Sequence, residues 1–128
     1  MLILEITRFE GGVWQVIEKI ILDWLGAKLD VSVYLEEPKN PPKEYVLIDK
    51  LGSAENDFIT SATIAVQSYS ASLYGAAELN AKVKKAMSES VSQGNICRCA
   101  CTSDYNYTDT ETKRYRYQAV FDVTYYEE

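Results

Sequence analysis

Residues 114–128 read RYRYQAVFDVTYYEE, and Tyr115, Tyr117, Ala119, Phe121, Val123 and Tyr125 take every second position. Against them stand Arg114, Arg116, Gln118, Asp122 and Thr124, with Val120 the one apolar interruption on the polar side. Successive side chains of a strand point to opposite faces, so this period predicts a long strand with one face on a core. Tyr115 and Tyr117 are expected to share a face with Phe121.

Upstream, NICRCACTS holds the only three cysteines of the chain, Cys97, Cys99 and Cys101, at alternate positions. The same period puts all three on one face of a strand, with Arg98, Ala100 and Thr102 on the other. A zinc site takes about four ligands, commonly paired as C-x2-4-C, and this chain has no histidine and no fourth cysteine. The C-x-x-C spacing of a dithiol redox centre is also missing. The cysteines are therefore read as small apolar residues packing under a helix. Between the two strands lies DYNYTDTETK, a polar turn-rich segment, so residues 103–113 are expected to form the tip of a hairpin.

The remaining elements follow from periodicity. In GVWQVIEKIILDWLG, Trp14, Ile17, Ile21, Trp24 and Leu25 recur at helical steps, which predicts a helix over 12–25 with Gly26 as its stop. VSVYLEE alternates as a short strand, and EYVLIDKLG as a second one ending near Lys50 or Leu51. Pro38, Pro41 and Pro42 lie between them, so 36–44 is a loop and the pair reads as an extended hairpin. Gly52 then opens a polar turn. ITSATIAVQSYSAS is rich in β-branched residues and predicts a third strand, with small side chains on both faces. Ser70 or Ser72 is placed to cap a helix over 73–91, whose inward stripe is Ala76, Leu79, Val83, Ala86 and Met87 and whose end is marked by Gly94. The expected order is α-β-β-β-α-β-β: an α+β fold in which two helices pack on one mainly antiparallel sheet, as a single domain over 1–128.

Composition narrows the function. With 128 residues, 47% apolar and 25% charged, the chain has the balance of an ordinary folded domain. Thirteen basic residues against nineteen acidic ones leave a net charge of −6 and no basic run, which argues against DNA binding. MLILEITRFEGG lacks the basic flank and apolar run of a secretory leader, and no stretch approaches the roughly 20 apolar residues of a membrane span. Three cysteines suit a reducing compartment, so synthesis in the cytoplasm is expected.

No constellation of catalytic residues is visible. Without histidine, triads built on it are excluded, and no phosphate-binding glycine motif or metal-binding helix motif occurs. Asp104 and Asp109 share the hairpin tip but lack the spacing of a calcium loop, and they read as a solvated loop. No catalytic, cofactor or metal residue is assigned. Six of the ten tyrosines, Tyr105, Tyr107, Tyr115, Tyr117, Tyr125 and Tyr126, crowd the final hairpin. Such residues are enriched at protein contacts, and equally suit a strand with one buried face.

The run SATIAVQSYSASLYGAAELNAKVKKAMSES, residues 61–90, passes from a Q-S-Y-S strand end into an alanine-rich helix closing on V-x-x-A-M. It resembles the tail-terminator or tail-completion proteins of long-tailed bacteriophages, as does the frame around it: an amphipathic helix, a strand, a Pro-containing loop, a second strand and an aromatic C-terminal hairpin. The resemblance implies a structural protein of the virion, not an enzyme. Its implied partners are itself, as a ring expected to be hexameric, the tail tube protein and the connector or neck proteins of the head, with DNA passing through without specific binding. The loops 36–44 and 103–113 would be its arms. Two other roles stay open: a different neck or head-closure component, and an unrelated enzyme or small-ligand binder for which Glu18, Asp23, Asp49 and Asp122 are the acids to examine.

Overall fold

A computed structural model describes residues 16–56 and 59–126. The elements are α1 (Ile17–Lys28), β1 (Ser32–Tyr34), β2 (Tyr45–Asn56), β3 (Ile59–Ser70), α2 (Leu73–Ser88), a 3-10 turn (Ser90–Gln93), β4 (Ile96–Asn106) and β5 (Tyr115–Tyr126). This is the α-β-β-β-α-β-β order of an α+β fold. The five strands form one sheet in the order β1-β2-β3-β5-β4.

The pairings β2/β3, β3/β5 and β4/β5 are antiparallel, while β1 runs parallel to β2. β1 and β2 are therefore not the hairpin expected from their sequence. Ser32 pairs with Tyr45 and Tyr34 with Leu47, so the loop 36–44 only carries the chain back past a three-residue strand. β3 and β4 both run antiparallel to β5 and so run parallel to each other; α2 is the crossover between them, and β5 fills the gap.

The core lies on one face of the sheet. Val46 and Ile48 of β2, Ala62, Ile64 and Val66 of β3, and Ala119, Phe121, Val123 and Tyr125 of β5 meet Ile17, Ile20, Ile21 and Leu25 of α1 and Leu79, Val83, Ala86 and Met87 of α2. Ile17, Ile21 and Leu25, the α2 stripe and the alternate β5 positions are the ones periodicity selected, whereas Ile20, Val46 and Ile48 were not singled out. Trp24 joins the two helices by donating its indole N–H to the Ala86 carbonyl at 2.8 Å. β5 keeps an unbroken register with β3, Tyr115 opposite Ser70, Tyr117 opposite Ser68 and Phe121 opposite Ile64, so the three aromatics share a face.

Several boundaries differ from the sequence reading. α1 continues through Gly26 to Lys28 and closes where the Leu29 N–H bonds back to the Leu25 carbonyl; Gly26 is simply an exposed helix position. Trp14 and the expected first turn before Val16 lie outside the described residues. β2 does not stop at Leu51: a bulge between Lys50 and Gly52 resets the register, and Gly52 to Asn56 pair with Thr63 to Ile59. Residues 51–55 of this arm are exposed, so they can be polar, and polarity there imitates a turn. α2 ends at Ser88 and not near residue 91, followed by the 3-10 turn and Gly94 at φ 79°, the left-handed stop. Ser72 is the N-cap, accepting from the Gly75 N–H at 3.0 Å, whereas Ser70 turns to the Glu44 carboxylate. The hairpin tip is shorter than 103–113, since β4 runs to Asn106.

Candidate interaction surface

Among the described residues the second face of the sheet carries no helix, and its rows of paired residues can be followed across the strands. In the first row Tyr45 of β2 stands opposite Tyr69 of β3, which stands opposite Arg116 of β5. The two tyrosine rings stack at 4.4 Å and 4°, and Tyr34 meets Tyr45 edge-on. Arg116 donates to the Tyr69 hydroxyl at 2.9 Å and lies over the Tyr107 ring at 4.4 Å. In the second row a relay of side chains crosses three strands, β3, β5 and β4: Tyr69 donates to Gln67 at 3.1 Å, Gln67 to Gln118 at 2.8 Å, and Gln118 to the Tyr105 hydroxyl at 2.6 Å.

Glu37 closes this end of the sheet. Its carboxylate accepts from the Tyr45 hydroxyl and from Arg114, each at 2.8 Å, and Arg114 also donates to the Tyr45 oxygen. The Arg114 guanidinium lies over the Tyr69 ring, 4.8 Å from its centre. Partial desolvation pushes the Glu37 carboxyl up, but hydrogen bonds from Tyr45 and Arg114 and the charges of Arg114 and Arg116 outweigh it, leaving the group below its usual value. Burial and the bond to Glu37 push the Tyr45 hydroxyl well above the phenol range, so it stays a donor. The two loops read as separate arms thus meet here: Glu37 belongs to 36–44, and Arg114 follows 103–113.

Beside the clamp lies a shallow cleft of about 180 Å³ lined by Pro41, Pro42, Lys43, Tyr45, Tyr69, Ser70, Ala71, Lys113, Arg114 and Tyr115. Lys113 is the only described non-glycine residue with positive φ, 57°. Its N–H donates to the Asp109 carbonyl at 2.8 Å, and an isolated bridge pairs Asp109 with Arg114, so the loop backbone is fixed. Arg114 and Arg116 stood out in the sequence only as the polar side of β5. Glu37, Tyr45 and Tyr69 carried no signal, because their meeting depends on a contact across 77 positions.

The residues singled out for chemistry are not brought together. Asp104 accepts from Asn80 and Lys84 on α2. Asp109 accepts from the Glu111 and Thr112 N–H groups, which hold its carboxyl below the usual range. Glu18 faces Lys50 at 3.8 Å, Asp23 pairs with Lys19 at 2.7 Å, Asp122 accepts from Thr63 at 3.4 Å, and Asp49 is exposed. Among the described residues no three His, Cys, Asp or Glu side chains are grouped to hold a metal ion.

The cysteines do not share one face. β4 shifts register between Ile96 and Arg98 and again between Cys101 and Ser103. Ile96 opposite Tyr125, Cys99 opposite Val123 and Cys101 opposite Phe121 lie on the helix side, and the first bulge throws Cys97 out of phase, next to the Tyr126 hydroxyl. Only Cys99 packs against the core; Cys97 and Cys101 are exposed, and all three are free thiols. The expectation that all three pack under a helix is thus met by one. Of the tyrosines of the final hairpin, Tyr125 is buried, Tyr115 and Tyr117 are half-buried, and Tyr105, Tyr107 and Tyr126 are exposed.

No described helix is long and apolar enough to cross a membrane. In comparisons with known proteins the chain matches no family model and no curated protein.

Proposed function

We propose that this chain is a structural subunit of a long-tailed bacteriophage tail, forming a hexameric ring that caps the head-proximal end of the tail tube, stops its growth and joins the tail to the head. The observation that carries the reading is the pair of free edges on one sheet. Among the described residues, β4 offers eleven residues with no strand beyond it on one side, and on the other β1 covers only Tyr45 to Leu47 and leaves the rest of β2 without a second partner strand. Unpaired strand edges invite pairing with another chain.

Their directions are compatible with a ring. β2 and β4 lie at opposite ends of the antiparallel run β2-β3-β5-β4 and point in opposite senses, so β4 of one copy meets β2 of the next as a further antiparallel pair. Such a contact joins two different surfaces, which is the heterologous arrangement that closes into rings. The exposed Leu51, Tyr105 and Tyr126 flank these edges and add apolar area. The resemblance of residues 61–90 to tail-terminator proteins supplies the particular role, and the negative charge suits a passage for DNA.

Amide hydrogen exchange tests the contact. On raising the concentration, residues 96–106 and 51–56 should gain protection together while β3 stays unchanged. If both edges exchange at the same rate at every concentration, the ring contact is wrong. A different neck component would use the same edges but co-sediment with the head connector instead of the tail tube.

A further inference from the structure

We propose that the cleft between the loop 36–44 and the start of β5 docks an acidic segment of a partner protein. Lys43, Lys113 and Arg114 all line it, and among the described residues no carboxylate does, in a chain whose net charge is −6. Neither Lys43 nor Lys113 has an ion-pair partner among the described residues. The two acids at the rim are already engaged, Glu37 by Tyr45 and Arg114 and Glu44 by the Ser70 hydroxyl.

Glu37 shows what this end of the sheet accepts. Its exposed carboxylate occupies the Arg114 fork and the Tyr45 hydroxyl from within the same chain; an incoming carboxylate meets the two lysines beside them and gains the Arg114 fork only by displacing Glu37. The Tyr69 ring beneath Arg114 holds that guanidinium in place, and the backbone bond from Lys113 to Asp109 fixes where the Lys113 side chain starts, which lowers the ordering cost of binding.

The same geometry selects against other ligands. At about 180 Å³ and open to solvent, the cleft is smaller than the roughly 300 Å³ from which small-molecule pockets begin. Tyr45 and Tyr69 are 2% and 4% exposed and stacked on each other, so their faces are not free to stack bases. Pro41, Pro42 and Ala71 form a wall suited to the aliphatic stem of a glutamate or to a peptide backbone.

The test is a titration of the isotopically labelled protein, followed by amide NMR, with end-capped tetraglutamate. Shifts are expected at 43–45, 69–71 and 113–115, saturating with a dissociation constant of about a millimolar. The double variant Lys43→Ala/Lys113→Ala, with its core resonances unmoved, should bind about fivefold more weakly, and Glu37→Gln, which releases Arg114, about threefold more tightly. Inorganic phosphate and a single-stranded oligonucleotide are run in parallel. Equal affinity for phosphate, preference for the oligonucleotide, shifts located elsewhere or no shifts at all would each overturn the proposal.

Discussion

Glu37 and Arg114 lie 77 positions apart and meet at 2.8 Å, joining the loop before β2 to the residue before β5. The pair is about two-fifths exposed on both sides, so it acts as a positional tie more than as a source of stability.

The tie has a defined pH dependence. The Glu37 carboxyl titrates below its ordinary value of 4.5, so whatever the contact contributes is complete above that pH and is lost as pH falls through the lower folded value. In Arg114→Gln the carboxyl should move back upward. Carbon NMR of the Glu37 side chain in the two proteins measures this, and an unchanged titration would show that Arg114 does not set it.

Gly75 and Gly26 should respond oppositely to alanine. A Cβ at Gly75 would stand 2.3 Å from the Ser70 hydroxyl, which is itself held by Glu44, so Gly75→Ala should destabilise by about 1 kcal/mol and Gly75→Ala/Ser70→Ala should recover most of it. A Cβ at Gly26 meets nothing within 4 Å inside an exposed helical turn, and Gly26→Ala should stabilise by about 0.5 kcal/mol. Urea unfolding of the three variants checks both signs.

Phe121 is the largest wholly apolar side chain of the buried core, 1% exposed between α2 and the sheet. Phe121→Ala should cost about 3–5 kcal/mol in the same assay. A loss under about 1 kcal/mol would mean that the helices do not rest on this face.

The thiols should separate by reactivity. Burial raises the Cys99 thiol above its ordinary range, whereas Cys97 and Cys101 are exposed. A neutral-pH alkylating agent should modify two cysteines quickly and Cys99 slowly, as read by peptide mass spectrometry. Fast modification at Cys99 would contradict its packing against the core.

What could be read from the sequence followed local period. The alternation in β5 and the helical stripes of α1 and α2 name the residues that form the core, because burial on one face imposes that period directly. The parallel pairing of β1 was hidden, since three residues and a proline-rich loop look alike before a hairpin or a return. The arm of β2 past Gly52 was hidden because its exposed residues 53–55 lack the apolar alternation of a half-buried strand. Bulges broke the phase of the cysteines, which no alternating count detects. The Glu37 clamp was out of reach for a different reason: it is made by the closure of the sheet, between residues that individually look like loop and strand edge.

If β4 of one copy pairs with β2 of the next to close a ring, the solution mass by light scattering across concentration will show it. One discrete assembly near six copies of the 14.5 kDa chain, about 87 kDa, is expected, since a heterologous contact whose rotation closes yields a ring of fixed size. A closed dimer that persists over the whole range, or a monomer at the highest concentration, would contradict it.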